Sequence, residues 1–316
     1  MNILAVDTGF GDVKVVYGDN NSVKNIFKFP SAVAQVEKNA LVNDVNLIEH
    51  EGRSFYVGDA ALGIQNSAII DISDYSRLEK ATPLFLLKAI KDLDISVPDI
   101  IVLGLSIAQV SNSGYYKETV ENLFKGLGKD VRVIVLPQGA ASKLTIDRYG
   151  ATFPQVSKDF NPQLNYVLCD IGFNTLDVCH VVNGKTSANM LRGIEKQGAI
   201  VIASTLVEKI KEAHGLNLTV NEARQILNEG SFKRRGVSYE VASFIQEAKL
   251  VYIENLKVII EDQFGDILDK VDNLFIVGGG AYFLSDITDP FFKIPKEQAE
   301  YYNAVGYYLF GLKQPA

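Results

Sequence analysis

The chain of 316 residues carries 31 Lys and Arg against 38 Asp and Glu, a formal net charge of −7, with 47% hydrophobic and 22% charged residues. That length suits two domains, each large enough for its own core. The acidic balance excludes direct nucleic-acid binding as the leading expectation, and no apolar run approaches the roughly 18 residues that cross a bilayer, so no membrane partner is expected.

From Asn2 to Gly18 an apolar run, Ile3 to Val6, ends in Asp7-Thr8-Gly9-Phe10-Gly11, and a second β-rich run, Val13 to Tyr17, follows at once. This predicts a β-hairpin. The glycines allow a tight turn whose N–H groups point into a concavity that suits phosphate oxygens. Asp7 at the tip can hold a hydrated Mg²⁺, an ion that borrows only one or two carboxylates, and Lys14 can reach back to a phosphate. Taken alone, the stretch reads first as an acidic glycine turn with an exposed lysine. The chain begins in a strand with no basic-then-apolar leader, which reads as cytoplasmic.

Val23 to Phe29 continues the β pattern to Pro30, and Ser31 to Asp74 is polar, with short strand-like pieces such as Ser54 to Val57. Leu78, Ala81, Phe85, Ala89 and Leu93 predict a helix over Arg77–Leu93. Asp99 to Leu105 has the length and apolarity of a buried parallel strand. Lys117 to Leu127 reads as a helix stopped by Gly128, with Val120, Leu123, Phe124 and Leu127 inward. Val131 to Leu136 is another buried strand, and it delivers Gln138 to the carboxyl edge of the sheet, where α/β proteins bind ligands. A polar strand-end cap is the plain reading of Gln138. Helix-forming residues to Arg148 lead into Tyr149–Gln163, read as a linker or surface loop.

The second half repeats the opening plan. Asn165 to Gly184 places Asp170-Ile171-Gly172-Phe173-Asn174-Thr175 between two β-rich runs, with Asp170 offset by 163 residues from Asp7. Two matching carboxylate turns would be costly face to face without a cation between them, which makes Asp7 and Asp170 the candidate Mg²⁺ ligands through water. Asp177 stands where the first copy has Lys14 and is read as facing solvent. Cys169 and Cys179 lie in apolar strands as reduced, buried thiols. Helices are predicted over Ala199–Ala213, over Val220–Leu227 behind a capping box at Thr219 and Glu222, and over Tyr239–Phe264 with Val241, Phe244, Ala248, Val251 and Tyr252 marking its inner face. Lys233-Arg234-Arg235 reads as a solvated helix-joining loop rather than a DNA contact. Leu274 to Val277 is a strand ending in Gly278-Gly279-Gly280-Ala281, and Lys296 to Gly311 is a helix with Tyr302, Val305 and Leu309 inward.

Taken in order, these stretches resemble the nucleotide site of the actin-like ATPase superfamily. The Asp7 turn resembles its phosphate-1 loop, DIGFNTLD its phosphate-2 loop, and IVGGGA its adenosine loop. LPQGAA, at Leu136–Ala141, sits at the first connecting segment and is most similar to the plasmid-segregation branch, the ParM/StbA-type actins. Phe173 and Asn174 depart from relatives whose phosphate-2 loop is richer in Gly and small hydroxyl residues.

The resemblance implies two Ribonuclease-H-like α/β domains of the actin, heat-shock-chaperone and sugar-kinase fold, with a nucleotide cleft between them. The first spans 1–150, with a small inserted subdomain at about 31–75 and completion by a C-terminal helix at about 297–316. The second spans 151–296, with an insertion at about 215–240. It implies Mg-ATP, with GTP an alternative, bound by Thr8, Gly9, Phe10, Gly11 and Lys14, by Gly172, Phe173, Asn174 and Thr175, and by Gly278, Gly279, Gly280 and Ala281. Gln138 is then the catalytic residue that orients the attacking water, beside Asp7 and Asp170. Self-association into nucleotide-dependent filaments for plasmid or DNA segregation, through a DNA-binding adaptor protein, follows from the resemblance alone. A small-molecule kinase or a nucleotide-sensing scaffold on the same fold are the alternatives.

Overall fold

Strand β1 (Asn2–Thr8) is apolar on both faces of its pleat, so the fold covers it from both sides. Leu4 and Val6 join a cluster with Phe85, Val120 and Phe124, while Ile3 and Ala5 join another with Ala141, Ala304 and Tyr307. The computed structural model describes all residues except 37–45, 64–69, 71, 73, 150–163, 287, 296 and 316. The chain divides into two units, Met1–Arg148 with Tyr301–Ala316, and Tyr149–Glu300.

In the first unit β1 is followed by β2 (Asp12–Asp19) and β3 (Val23–Pro30), an antiparallel meander. A small sheet of β4 (Val33–Gln35), β5 (Ile48–His50) and β6 (Arg53–Val57) comes next, then the short α1 (Asp59–Leu62). Helix α2 (Tyr75–Leu93) buries Leu78, Ala81, Phe85 and Ala89 along one stripe and is capped by the Asp74 side chain. Strand β7 (Ile100–Leu105), helix α3 (Ser113–Gly126) and strand β8 (Arg132–Pro137) form a strand–helix–strand unit. Helix α4 (Ala140–Tyr149) follows. The sheet order is β3-β2-β1-β7-β8, with β7 and β8 parallel to β1, so the carboxyl ends of all three lie at one edge.

The second unit builds the same sheet. It contains β9 (Tyr166–Ile171), β10 (Thr175–Val181), β11 (Leu191–Glu195), α5 (Ile200–His214), α6 (Val220–Glu229), β12 (Ser231–Arg234), β13 (Val237–Glu240), α7 (Ala242–Phe264), β14 (Asn273–Val277) and β15 (Phe292–Lys293). Its order, β11-β10-β9-β14-β15, again joins a three-stranded meander to two strands parallel to its first. The capping box at Thr219 and Glu222 is present, worth about 1 kcal/mol to α6. Both cysteines are buried free thiols, and burial pushes Cys169 far up from the usual thiol range.

Helix α8 (Tyr302–Gly311) belongs to the first unit, against β1 and β7. A Cβ at Gly306 would collide with the Ala141 carbonyl of α4, and one at Gly104 of β7 would collide with the Tyr307 ring. Backbone and ring therefore pass where only glycine leaves room.

Several sequence expectations are corrected. The inward face of α8 is Ala304, Tyr307, Tyr308 and Gly311, whereas Val305 and Leu309 are only partly covered. Lys233-Arg234-Arg235 is a β-hairpin, not a helix-joining loop, and Tyr239 belongs to its second strand. Leu127 and Val251, read as inward, are exposed. Asp177 is buried, 1% exposed, rather than facing solvent. The linker expected at 149–163 lies, from residue 150 on, outside the described residues. Among the described residues, no helix is long and apolar enough to cross a membrane.

Candidate functional site

The first turn is anchored by its own backbone. The Gly9 N–H donates to the Asp12 carbonyl at 3.2 Å, so this amide closes the turn instead of opening into a concavity. The Ser31 N–H donates to the Gly11 carbonyl and its hydroxyl to the Gly9 carbonyl. Phe10 packs edge-on against Tyr75, centroids 5.1 Å apart. Thr8 turns to the other face of β1, where its hydroxyl lies 2.8 Å from the Tyr116 hydroxyl, itself 3.1 Å from the Thr82 hydroxyl. Full burial pushes Tyr116 up to about 12, so this phenol stays neutral.

Asp7 is the focus of this edge. It stands opposite Lys14 in the β1–β2 register, and the lysine Nζ lies 3.5 Å from Asp7 Oδ2, both side chains largely buried. A Cβ at Gly9 would come 2.8 Å from Lys14 Nζ, so the glycine leaves the lysine room to fold back under the turn. Gln138 Nε2 donates to Asp7 Oδ1 at 2.8 Å. The Gln138 backbone is fixed by a bond from its N–H to the Leu105 carbonyl, which continues the parallel β7–β8 ladder by one residue. Gly139 follows at φ +71°, and its N–H donates to Asn303 Oδ1, which also accepts from the Ser142 hydroxyl. Asn303 is buried in α8, so that helix holds the segment after β8 in place.

The second turn repeats the closing bond and the register of the first. The Gly172 N–H donates to the Thr175 carbonyl at 2.9 Å, and Asp177 stands opposite Asp170 in the register as Lys14 stands opposite Asp7. Asp170, Thr175 and Asp177 are all buried. The electrostatics differ accordingly: the first hairpin pairs a carboxylate with an ammonium, the second two carboxylates. The turn's outer rim is consumed by α5. The Gly198, Ala199 and Ile200 N–H groups donate to the carbonyls of Asn174, Gly172 and Phe173, which satisfies amides that a helix start otherwise leaves open. A Cβ at Gly198 would collide with the Gly172 carbonyl, a requirement that sequence reading missed because one glycine before a helix carries no distinctive pattern. Arg224 of α6 lies over the Phe173 ring, 4.7 Å from its centroid, worth about 0.5–1 kcal/mol.

The third turn follows β14 and runs into a 3₁₀ segment, Gly279–Leu284, rather than an α-helix. Gly278 has φ +87°, and a Cβ there would collide with Asp170 Oδ1; one at Gly280 would collide with Ile171. These two glycines are demanded by packing on the second turn. Gly279 is exposed, with nothing within 4 Å of its Cβ position, so it is the glycine open to an approaching group. Ala281 is buried in the unit's core and donates its N–H to the Gly278 carbonyl.

Sequence reading also missed Glu79. It follows Tyr75 by one helical turn and precedes Thr82 by three residues, so α2 presents it on the side that meets the Thr8–Phe10 turn. Its Oε1 is buried without a hydrogen-bond partner, and desolvation raises its pKa.

Among the described residues no group of three or more His, Cys, Asp or Glu forms a metal cage. The first hairpin offers one buried carboxylate, Asp7, and the second offers Asp170 opposite Asp177; so few protein ligands suit only an ion that takes most of its shell from water, as Mg²⁺ does.

Residues 5–152 match the family model described as actin-like proteins, N-terminal domain, and residues 168–288 match archaeal actin homologue MreB-like, C-terminal. No curated protein sequence matches the chain significantly. Among solved structures, the chain is similar to the archaeal actin homologue Ta0583, with TM-score 0.77 and 20% identity over 99% of this chain and 100% of that one. It is also similar to ParM in a 15-stranded filament from Clostridium botulinum, at 0.73 and 17% over 99% of each. Bacillus thuringiensis ParM with ATP gives 0.60 and 16% over 99% and 98%. At such identities the likeness is one of fold, and it bears out the expected actin-like architecture of two α/β domains. With the two family models running in succession over most of its length, the chain belongs to the actin-like proteins.

Proposed function

We propose that this chain binds and hydrolyses Mg-ATP and assembles with copies of itself in a nucleotide-dependent way, serving plasmid or other DNA segregation through an adaptor protein. The observation that carries the reading is the triad at the first turn, Gln138–Asp7–Lys14, centred on the buried Asp7 and backed by the same turn around Asp170. The support from relatives is that Ta0583 was solved with ADP, Bacillus thuringiensis ParM with ATP, and ParM from Clostridium botulinum as a filament.

Asp7 and Asp170 would hold Mg²⁺ through water, and the ion, when bound, would supply positive charge against the phosphates. Lys14 contributes a fixed positive charge beside Asp7. Gln138, with its backbone locked by Leu105 and its segment by Asn303, presents an amide that orients the attacking water without a shift in protonation. Thr8 supports the turn through Tyr116, while Gly9, Phe10 and Gly11 shape it. Gly172, Phe173, Asn174 and Thr175 form the second phosphate turn, and Gly278, Gly279, Gly280 and Ala281 receive the nucleoside, Gly279 being the open position.

The test is sedimentation and 90° light scattering after adding Mg-ATP, Mg-ADP or a non-hydrolysable ATP analogue, with phosphate release followed in the same sample. Assembly with ATP and with the analogue, and phosphate only with ATP, is expected. Phosphate release without assembly at any protein concentration overturns the assembly half of the reading; no nucleotide binding overturns all of it.

A further inference from the structure

The two hairpins share a plan but not a charge balance. In the first, the β2 residue opposite the tip carboxylate is Lys14; in the second it is Asp177, and Asp170 and Asp177 are both buried. From Asp170 to Val182 the chain has no Lys or Arg. A phosphate brought to this turn meets carboxylates without the fixed cation that the first turn carries, and like charges at such range repel.

A cation is nevertheless present there, supplied by another element. Arg224 of α6 holds its guanidinium 4.7 Å from the centroid of the Phe173 ring, the side chain in the middle of the turn. Both side chains are half-buried. Helical lysines elsewhere in the chain find a carboxylate one turn away, as Lys88 does in Asp92, Lys117 in Glu121 and Lys143 in Asp147. One turn from Arg224 stand Val220, Asn221, Leu227 and Asn228, none of them acidic. Among the described residues no carboxylate pairs with it. Attraction to a ring face uses the charge of a guanidinium but none of its five N–H donors. The chemistry left over is that of a planar fork, which matches phosphate oxygens two at a time.

We propose that Arg224 is the phosphate-binding cation of the second turn, with Phe173 as the platform that holds its guanidinium there. The ligand class is a nucleoside di- or triphosphate, and the contact is from guanidinium N–H groups to phosphate oxygens. Arg224 then supplies at this turn the positive charge that Lys14 supplies at the first. The assignment also accounts for Phe173, because a glycine or small hydroxyl residue in its place offers a guanidinium no face. Helix α6 lies in the segment between α5 and α7, so a phosphate held by Arg224 ties that segment to the nucleotide. The inference rests on the nucleotide-binding reading and adds one contact to it.

The experiment compares full-length Arg224→Gln, Arg224→Lys and Phe173→Leu with wild type by calorimetric titration with Mg-ADP and with adenosine, and by hydrogen exchange over α6. Arg224→Gln is expected to raise the Kd for Mg-ADP at least about tenfold, the scale of a lost charge-assisted contact, with thermal melting of the free protein close to that of wild type. Arg224→Lys keeps the charge without the fork and is expected to fall between the two; it carries the comparison should the Gln variant melt early. Phe173→Leu removes only the platform and is expected to raise the Kd about threefold. Mg-ADP is expected to slow amide exchange in α6 of wild type but not of Arg224→Gln. Adenosine, which carries no phosphate, is expected to bind wild type and Arg224→Gln alike. An unchanged Kd for Mg-ADP in Arg224→Gln overturns the inference and leaves the nucleotide reading standing. Adenosine weakened as much as Mg-ADP also overturns it, by moving the contact to the nucleoside. A wild type that binds no nucleotide overturns both.

Discussion

Gln138 Nε2 donates to Asp7 Oδ1 at 2.8 Å, joining residues 131 apart in sequence at the carboxyl ends of the parallel strands β1 and β8 of one sheet. The bond makes the amide's position a property of the sheet rather than of a loose loop. Gln138→Ala is therefore expected to lower phosphate release by about 100-fold, the scale of a misplaced reactant, with nucleotide affinity within a few-fold of wild type. Single-turnover phosphate release and equilibrium titration with the ATP analogue check this; an unchanged rate removes Gln138 from the chemistry.

Lys14 and Asp7 form a largely buried ion pair. Lys14→Met leaves the carboxylate without its cation and is expected to destabilise the protein by about 3 kcal/mol, somewhat less where the Gln138 bond compensates. Urea denaturation reads the loss, and Asp7→Asn combined with Lys14→Met is expected to recover most of it. A single variant as stable as wild type contradicts the pairing.

The three glycines after β14 separate by substitution. Gly278→Ala meets both a positive φ and the Asp170 carboxylate, and is expected to cost about 2 kcal/mol or more. Gly279→Ala has open space and is expected to change stability by less than about 0.5 kcal/mol, while weakening nucleotide binding if the nucleoside approaches there. Thermal melts with and without Mg-ADP distinguish the two effects.

Glu79 carries a raised pKa from desolvation. The folded state therefore binds its proton more tightly than the unfolded chain, so its contribution is neutral below the ordinary carboxylate value of 4.5 and becomes unfavourable as pH rises past it. Glu79→Gln is expected to melt higher than wild type at pH 7, with the difference fading as pH falls below 4.5. The gain is small because the side chain is only partly buried. Parallel melts from pH 4 to pH 8 decide; a constant difference across the range contradicts the titration.

Much of the architecture was legible because β1, β7, β8, β9 and β14 are short apolar runs that end in turn residues, and α2 and α5 bury one regular stripe each. In sequence Lys14 reads as reaching back to a phosphate, and its pairing with Asp7 emerges only from the β1–β2 register that sets the two side chains opposite each other. What escaped had specific causes. Helix α8 is covered from the sheet and from α4 together, so its apolar residues show no single stripe, and Val305 and Leu309 looked as inward as Tyr307. Asp177 looked like a surface residue because charge is the usual sign of exposure, whereas its register opposite Asp170 carries it inside. The basic run hid a hairpin because its turn uses Arg235 where Asn is the common signal. Glycines 278 and 280 pointed to a ligand in sequence, yet it is Ile171 and Asp170 that require them.

Helix α8 also sets an order of events during synthesis. The first unit is interrupted by the whole of the second, so its sheet emerges from the ribosome with the Gly104 notch unfilled and α4 uncovered. At about 5–20 residues per second, Tyr307 follows Arg148 by on the order of 10–30 s. During that interval the nascent first unit is a clasp held open, and the segment that fixes Gln138 through Asn303 is the last to arrive.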